Sequence, residues 1–338
     1  MARRVVILGA VAVAALLLAA VEASAGILAD VKARGEMKCG INGQLPGFAY
    51  PSSRGEMEGF DVEMCKALAA AIGVKVRLVP LTAKERFTAL QSGEIDVLYR
   101  NTSWTFSRDV ALALSFQGVS YYDGQGFLVR GNAGVKSAKE LDGAAVCVAT
   151  GTTTELNLSD YFRAQQMKLR PVVFESTESM RAAYEAGRCD VLSSDVSGLA
   201  AMRSAMSAPD THVILPEIIS KEPLGPVTRH GDEAWGDTVR WVLNALILAE
   251  ELGVGKANAA DRAAASPDPN VQRLLGKTGS FGKDLGLDAD WALRAILVTG
   301  NYGEIFARTI GAQSTLKLER GMNRLWSDGG LLFAPPIR

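Results

Sequence analysis

One phrase occurs twice in the chain and constrains its architecture more than any other feature. The segments ALQSGEIDVLYRN and AYEAGRCDVLSSD, residues 89–101 and 183–195, share an alanine, a glycine and the triplet Asp-Val-Leu in register. In both, a glycine suited to a left-handed helix cap separates a helical pattern from a short apolar strand. Coincidence is the alternative, because the shared string is short. We predict two α/β units, each built on one copy.

The sequence around both copies supports two matched units. The first unit adds an amphipathic helix over residues 59–72 and a strand over residues 74–78. The second adds a capping box at residues 137–140, a helix over residues 153–162, and strands over residues 145–148, 171–174 and 212–215. Beyond Gly225 the pattern becomes helical, and we expect helices over residues 235–252, 291–298, 302–310 and 318–326 before an extended tail.

Length and charge narrow the possible functions. The chain has 338 residues, enough for two domains. Its 36 basic and 37 acidic residues leave no basic excess that would favour nucleic acid. An apolar content of 48% argues against disorder on the scale of a domain.

The first 25 residues have the layout of a secretory signal peptide. Arg3 and Arg4 precede an apolar run over residues 5–21, and Ala23-Ser24-Ala25 supplies small residues for cleavage. An uncleaved anchor is the alternative, because the apolar run is long for a signal. We predict an exported protein whose mature chain begins near Gly26.

The four cysteines are expected to form disulfides in an exported protein. They are Cys39, Cys65, Cys147 and Cys189, and they allow three connectivities. Free buried thiols are the alternative. With only two histidines and no Cys-x-x-Cys pair, the sequence contains no metal-ligand cluster, so we expect neither a metal nor a cofactor.

Charged and hydroxyl groups follow the repeated strands. The first copy leads into Ser103 and Arg108, and the second ends at Asp195. Between them TGTTTELN, residues 150–157, is a glycine-containing turn that opens a helix. Because ligands of open α/β sheets bind at the carboxyl ends of strands, two facing units would bring these groups to one cleft.

These groups together indicate a ligand. Arg108 is a permanent cation that can hold a carboxylate through two hydrogen bonds. The N–H groups at residues 151–154 favour an anion, and Asp195 suits an ammonium. A molecule with a carboxylate and an ammonium on one carbon satisfies all three, and that molecule is an α-amino acid.

Each group also has a structural explanation. Arg108 and Asp109 could form a surface ion pair of little energetic value. Asp195 could cap a helix over residues 196–206, and the threonines at residues 152–154 could cap the helix they open. The joint position of these groups on strand-end loops of matched units favours the binding site.

The sequence resembles the periplasmic amino-acid-binding proteins of ABC importers, the polar amino acid solute-binding family. Within that family it is most similar to the general L-amino-acid binding proteins of proteobacteria. The resemblance covers nearly the whole mature chain. It lies in the phrases GINGQLPGFAY, GFDVEMCKALAAAIG, PLTAKERFTALQSGEIDVLYRNTSWTFSRD, YYDGQGF, TGTTTELNLSDYF, GRCDVLSSD, LPEIISKEPLGP and NYGEIFAR…GGLLFAPPIR.

The resemblance implies an α/β fold, the two-lobed periplasmic-binding-protein clamshell of type II, with the ligand in the cleft between the lobes. Lobe 1 is expected over residues 26–123 and 224–338, with a helical C-terminal extension, and lobe 2 over residues 124–223. The resemblance also leads us to predict disulfides within lobes, pairing Cys39 with Cys65 and Cys147 with Cys189.

The family motif implies a role for each residue of the cleft. Arg108 would bind the α-carboxylate, Thr153 would close on it from lobe 2, and Asp195 would take the α-ammonium. Ser103 and the backbone near Asn101 would assist Arg108 on the carboxylate, and the turn at Gly151 and Thr152 would assist Thr153. Gln44, Leu45 and Phe48, after the first strand, would line the side-chain end, and Arg100 is expected among the ligand-binding residues. Arg100 and Asn101 stand where many members have small residues, and Ala83 stands where several have a stacking aromatic, which implies a roomier pocket.

The implied function is a receptor that closes on L-amino acids, with broad specificity, and delivers them to an inner-membrane ABC permease. We expect a monomer that binds no nucleic acid. The alternative is a periplasmic dehydratase for prephenate-like or arogenate-like acids on the same scaffold, since fold does not fix function. No histidine falls in the predicted cleft loops, and no Gly-x-Ser-x-Gly motif occurs, so we expect no enzyme. A sensing module is a third possibility, which no attached domain supports.

Overall fold

The computed structural model describes residues 26–338 of the chain. The signal peptide predicted over residues 1–25 lies outside the described residues. Across the described range, no helix combines the length and the apolar character that a membrane crossing requires. The described chain is a mixed α/β protein organised around two five-stranded sheets.

Fourteen short strands occur between residues 26 and 338. In chain order they are β1 (Glu36–Ile41), β2 (Tyr50–Pro51), β3 (Met57–Glu58), β4 (Lys75–Pro80), β5 (Val97–Leu98), β6 (Leu114–Phe116), β7 (Tyr121–Asp123), β8 (Gln125–Arg130), β9 (Ala145–Ala149), β10 (Arg170–Phe174), β11 (Val191–Asp195), β12 (His212–Ile214), β13 (Glu222–Leu224) and β14 (Val227–Arg229).

Twelve α-helices surround the strands in the same range. They are α1 (Ile27–Arg34), α2 (Phe60–Ile72), α3 (Arg86–Gln91), α4 (Thr153–Ala164), α5 (Thr177–Glu185), α6 (Val196–Ser204), α7 (Glu233–Glu251), α8 (Ala259–Ala265), α9 (Pro269–Leu274), α10 (Phe281–Asp284), α11 (Trp291–Thr299) and α12 (Tyr302–Thr309). A five-residue π-helical segment, Ser107–Ala111, lies between β5 and β6.

The two large sheets share one plan. The first has the strand order β4-β1-β5-β14-β6, and the second has the order β10-β9-β11-β8-β12. In each, the first three strands are parallel, and the fourth is antiparallel to both of its neighbours. We call the part of the molecule built on the first sheet lobe 1 and the part built on the second lobe 2. The two-lobed α/β fold expected from the sequence is confirmed.

The repeated phrase occupies the same place in both lobes. Gly93 and Gly187 have φ angles of 79° and 81°, which is the left-handed region that glycine adopts without strain. The strand after each glycine is the third of its sheet: β5 pairs in parallel with β1, and β11 pairs in parallel with β9. The sequence echo therefore marks equivalent central strands, and each strand ends at the space between the lobes.

A two-stranded ribbon joins the lobes. Strands β7 and β13 pair antiparallel, with Asp123 opposite Glu222 and Tyr121 opposite Leu224. The chain leaves the first sheet through β7 and returns to it through β13, so both passages run side by side. The lobe boundaries predicted at residues 123/124 and 223/224 fall in this ribbon and stay a prediction.

Helix α2 illustrates how the apolar pattern sets the packing of lobe 1. It ends at Gly73, whose φ is 84° and whose N–H caps the carbonyls of Ala69 and Ala70. Its buried face includes Cys65 and Leu68 and packs against β1, β4 and α11. Burying one such leucine stabilises the fold by about 1.5–3 kcal/mol.

The disulfide pairing predicted from the resemblance is confirmed. Cys39 in β1 is bonded to Cys65 in α2, with a Cα–Cα distance of 6.1 Å. Cys147 in β9 is bonded to Cys189, two residues before β11, with a Cα–Cα distance of 5.6 Å. Each bond lies within one lobe, so neither ties lobe 1 to lobe 2.

Two local predictions differ from the structure. The helix predicted over residues 318–326 is wrong, because that segment contains the 3₁₀ turn Gly321–Asn323 and the start of a second 3₁₀ turn, Trp326–Asp328, and no α-helix. The helix predicted after residue 137 is the 3₁₀ turn Ala138–Glu140, in which the Ser137 side chain accepts from the N–H of Lys139.

Candidate ligand-binding site

A cavity lies between the two lobes, at the carboxyl ends of the repeated strands. It encloses about 560 Å³, its open mouth included. Three guanidinium groups and one carboxylate face it together with hydroxyl and apolar side chains. The lining residues are Asn42, Leu45, Ala83, Arg86, Arg100, Asn101, Ser103, Arg108, Ala149, Thr152, Thr153, Thr154, Thr177, Met180, Ser194, Asp195, Gly198 and Met202.

Arg108 lies in the π-helical segment, with 6% of its surface exposed. Its Nη1 donates to the carbonyl of Ser103 at 2.8 Å, and its guanidinium lies 5.2 Å from the ring centre of Phe87. Burial lowers the pKa of Arg108, and the nearby Glu222 and Asp195 oppose that shift. Asp109 bonds the Trp104 indole instead, so the surface ion pair considered from the sequence does not form.

Asp195 ends β11 and precedes α6. It occupies the N-cap position, yet its side chain makes no capping hydrogen bond, so the capping explanation does not account for it. Burial raises the pKa of Asp195 well above its usual range, and the carboxylates of Asp123 and Glu222 raise it further. Arg108 and Arg86 act in the opposite direction. A cation beside Asp195 would therefore relieve a strong electrostatic penalty.

The turn before α4 brings its N-terminus to the cavity from lobe 2. Gly151 has a φ of 72°, and Thr152 caps the helix by accepting from the N–H of Glu155 at 3.3 Å. The structural explanation thus holds for Thr152, which also lines the cavity. Thr153 and Thr154 begin the helix and line the cavity beside it, where the N–H groups of a helix N-terminus favour an anion.

Arg86 is a cavity residue that the sequence reasoning did not select. It is 2% exposed at the start of α3, and its Nη1 reaches the carbonyls of Arg100 and Asn101, both at 3.4 Å. Its Nη2 donates to the carbonyl of Gly151 in lobe 2 at 3.2 Å. Burial and then the guanidinium groups of Arg108 and Arg100 lower its pKa. Arg86 therefore ties strand-end loops of both lobes together at the cavity.

Arg100 follows β5 and directs its guanidinium into the cavity. Its Nε donates to the carbonyl of Leu81 at 2.8 Å, and among residues 26–338 its two Nη atoms have no hydrogen-bond partner. Burial lowers its pKa to about 10, so it stays cationic at neutral pH. The charge of Asp61 is the main influence that opposes this shift; burial in turn raises the pKa of Asp61 to about 7, and Arg100 opposes that rise.

Ser103 and Thr153 meet on a carboxylate that the sequence reasoning missed. Glu222 in β13 is 1% exposed, and its Oε2 accepts from the Ser103 hydroxyl and, at 2.9 Å, from the Thr153 hydroxyl. Its Oε1 accepts from Asn157 at 2.8 Å. A lone glutamate in a short strand gives no local signal of this role. Only its position beside the strand-end loops of both lobes could have revealed it.

The structure brings most of the predicted site residues together. Arg100, Asn101, Ser103, Arg108, Thr152, Thr153, Asp195 and Leu45 line the cavity. Three predicted residues do not line it. Phe48 is buried against the rings of Phe60 and Tyr121, Gln44 accepts from the N–H of Glu178 at 3.3 Å, and Gly151 contributes its carbonyl to Arg86.

Comparisons with known proteins agree with this architecture. Residues 37–253 match the family model of the bacterial extracellular solute-binding proteins, family 3. The chain is 55% identical over 334 residues to the general L-amino acid-binding periplasmic protein AapJ of Rhizobium johnstonii, covering 97% of this chain and 98% of the relative. It is also 55% identical, over 333 residues and 98% of each chain, to the glutamate/glutamine/aspartate/asparagine-binding protein BztA of Rhodobacter capsulatus.

A solved structure gives the same result at the level of the fold. An ABC transporter periplasmic binding protein from Brucella ovis, with glutathione bound, is 54% identical and superposes with a TM-score of 0.90. The match covers 93% of this chain and all of that one. The family model, the relatives and the solved structure all extend over the two lobes described above. The chain belongs to the bacterial extracellular solute-binding proteins, family 3.

Proposed function

We propose that this protein is a periplasmic receptor that captures L-amino acids and delivers them to a membrane-embedded ABC permease. One observation carries the proposal: Arg108 of lobe 1 and Asp195 of lobe 2 line the same cavity, and each has polar atoms turned towards it. An α-amino acid presents a carboxylate and an ammonium on one carbon. It therefore satisfies both lobes at once.

The carboxylate end is held by Arg108. Its Nη1 is fixed on the carbonyl of Ser103, which orients the planar group and leaves Nη2 and Nε for the ligand. The N–H groups at the start of α4 approach the same carboxylate from lobe 2. The ring of Phe87 supports the guanidinium from one face.

The ammonium end is held by Asp195. Its carboxylate has no hydrogen-bond partner among residues 26–338, and burial next to Asp123 and Glu222 destabilises its charge. An ammonium group supplies the missing cation and three donors. The two anchors contact only the α-carbon substituents, so they act on every L-amino acid alike.

The part of the cavity that would hold the ligand's side chain supports broad specificity, with a preference for side chains that carry hydrogen-bond acceptors. Leu45, Ala83, Met180 and Met202 give the cavity an adaptable apolar wall, while Arg100 presents a cationic fork. The names of the relatives fit this combination, because one gives general L-amino acids and the other gives glutamate, glutamine, aspartate and asparagine. Glutathione, bound in the solved relative, carries a free α-amino-acid end on its glutamyl residue.

Delivery follows from closure of the lobes about the β7–β13 ribbon. A ligand that contacts both lobes binds the closed form better than the open form, so it shifts the population towards closure. The permease then distinguishes loaded from unloaded receptors by shape. The periplasmic location and the permease partner rest on the family and the named relatives.

The test is a calorimetric and thermal-shift panel on the mature chain. The panel contains the common L-amino acids and glutathione, and we expect several of them to raise the melting temperature. Arg108→Met and Asp195→Asn should each weaken every amino acid by about 2–5 kcal/mol, because each leaves a ligand charge unpaired in a buried site. The control variants Arg54→Met and Asp288→Asn change exposed ion pairs and should bind as the wild type does.

Two results would contradict the proposal. A wild-type chain that responds to no panel member is not an amino-acid receptor. A chain that converts a bound ligand into a product is an enzyme of the dehydratase type instead. If either anchor variant altered only the ranking of side chains, the assignment of Arg108 and Asp195 to the α-carbon groups would be wrong.

A further inference from the structure

Glu222 lies behind two residues that line the cavity, and its carboxylate accepts hydrogen bonds from both lobes. Oε2 accepts from Ser103 of lobe 1 and from Thr153 of lobe 2, and Oε1 accepts from Asn157 at 2.8 Å and from Ser220 at 2.6 Å. Four donors around one carboxylate fill the acceptor positions of its ionised form. Glu222 does not line the cavity itself, but two of its four donors do.

The protons of this network can be counted. Asn157 must direct its amide N–H to Oε1, because an amide nitrogen can only donate. Ser220 accepts from the N–H of Gln125 at 3.2 Å, which leaves its own proton for Oε1. Ser103 and Thr153 have one hydroxyl proton each, and both protons point to Oε2. Towards the cavity these two hydroxyls therefore offer only lone pairs.

We propose that Glu222 is a positioning residue that makes the Ser103 and Thr153 hydroxyls acceptors, so that they select the ammonium end of the ligand over its carboxylate end. This inference rests on the proposed function. A carboxylate can only accept and an ammonium can only donate, so the two hydroxyls repel the first and bind the second. The sequence-based expectation had assigned both side chains to the carboxylate.

The network also links recognition to closure. Ser103 belongs to a loop of lobe 1, where it forms an isolated bridge with Leu224 of the ribbon. Thr153 and Asn157 belong to α4 in lobe 2. Glu222 holds all three only when the lobes are together, so the acceptor pair is complete only in the closed form.

The decisive variant is Glu222→Gln, which keeps the shape of the side chain. Its amide oxygen must face the Asn157 amide, so its NH₂ group takes the place of Oε2 and donates to both hydroxyls. Each hydroxyl then accepts from Gln and turns its proton towards the cavity. The substitution thereby turns the Ser103 and Thr153 hydroxyls from acceptors into donors towards the cavity, while the size of the residue 222 side chain is unchanged.

The measurement compares an amino acid with its des-amino analogue by calorimetry. The first pair is L-glutamate and glutarate, followed by the tightest ligand of the panel and its own des-amino acid. The preference for the amino acid should fall by about tenfold or more in Glu222→Gln, mainly through weaker L-glutamate binding. Glu250→Gln, which changes an ion pair with Arg320 away from the cavity, should keep the wild-type ratio.

Other outcomes overturn the inference. If Glu222→Gln weakens both members of a pair by the same factor, or neither, Glu222 has only a structural role. If that variant fails to fold, Thr153→Val replaces it, because it removes one acceptor and keeps Glu222; an unchanged ratio there is equally decisive. A wild type that binds no amino acid refutes the proposed function. A wild type that binds, with unchanged ratios in the variants, refutes only this inference.

Discussion

At the scale of single residues, the cavity has an excess of cationic charge. Arg86, Arg100 and Arg108 line it against one carboxylate, Asp195. Arg86 uses its Nη atoms on backbone carbonyls, and Arg108 is proposed to take the α-carboxylate. Of the three guanidinium groups, only that of Arg100 is therefore left to form hydrogen bonds with the side chain of the ligand.

This assignment predicts the effect of Arg100→Met. The variant should weaken L-glutamate and L-aspartate by roughly tenfold or more relative to L-leucine, because a charge-assisted hydrogen bond is lost only with the acidic ligands. Without the neighbouring cation Asp61 should become protonated, because burial raises its pKa to about 7 and the opposing effect of Arg100 is lost. Calorimetry with the three ligands measures the ratio. Equal weakening of all three would show that Arg100 does not read the side chain.

A second prediction at this scale concerns pH. Burial raises the pKa of Asp195 well above its usual range, and its neighbour Asp123 has a pKa of about 6 for the same main reason. An ammonium ligand favours the ionised form of Asp195, so binding should release protons, and affinity should fall as the pH is lowered from 8 to 5. Calorimetry in two buffers of different ionisation enthalpy counts the protons. Asp195→Asn should lose most of this dependence, and a variant that retained it would place the titrating group elsewhere.

The residues that sequence reasoning found and missed differ in the range of their interactions. Arg108 and Asp195 follow directly from strand ends, where the fold class itself places ligand contacts. Arg86 bonds a residue of the other lobe, 65 positions away, and Glu222 in the ribbon bonds residues of both lobes, 69 and 119 positions away, and no local pattern encodes such distances. Phe48 was placed at the side-chain end of the cleft by the family resemblance, but its ring is packed in the core of lobe 1.

At the scale of elements, the repeat and the helices α7, α11 and α12 were predictable, and the segment 318–326 near the end of the C-terminal extension was not. Helix, glycine and strand in a fixed order specify β5 and β11 through local propensity alone. The segment 318–326 has apolar residues at helical spacing, but Lys317 and Gly321 have positive φ angles that break any helix there. Its Asn323 instead bonds strand β7 of the ribbon, donating to the carbonyl of Tyr122 at 2.9 Å and accepting from its N–H at 2.7 Å.

Asn323 thus acts as a third partner on the edge of the β7–β13 ribbon. Asn323→Ala should destabilise the chain by about 1–3 kcal/mol, because it leaves the partly buried backbone N–H and carbonyl of Tyr122 without this partner. It should also change ligand affinity, since the freed strand is one of the two that connect the lobes. Denaturant unfolding and calorimetry measure the two effects.

The matched control is Asn258→Ala. Asn258 also makes two backbone hydrogen bonds, to Gly255 and Gly253, but these lie in the helical extension away from the ribbon. It should lower stability and leave affinity unchanged. If both variants left affinity unchanged, the extension would support the fold without influencing the hinge.

At the scale of the whole molecule, contacts between the lobes occur at two depths. At the base of the cleft, Arg86 donates to the carbonyl of Gly151, and Glu222 joins Ser103 to Thr153. At the rim, Lys84 and Glu175 form an ion pair at 3.2 Å with both side chains more than 60% exposed, and Gln44 accepts from the N–H of Glu178. Exposed pairs of this kind are worth about 0–1 kcal/mol.

This difference in burial predicts which contacts stabilise the closed form. A ligand shifts the population only through contacts that differ between the open and closed forms, and the anchors at the base supply the largest of these. The double variant Gln44→Ala/Lys84→Ala should lose less than about tenfold in affinity. Small-angle scattering should show the same decrease in radius of gyration on saturation with L-glutamate as in the wild type.

Arg108→Met provides the opposite case in the same measurement. It keeps both rim contacts but removes the anchor of lobe 1, so high ligand concentrations should produce little decrease in the radius of gyration. The opposite result would be a Gln44→Ala/Lys84→Ala variant that stays open at saturation and an Arg108→Met variant that closes. It would show that the rim contacts, and not the anchors at the base of the cleft, drive closure. Because both disulfides lie within lobes, neither restrains this movement, and the comparison reports the non-covalent contacts alone.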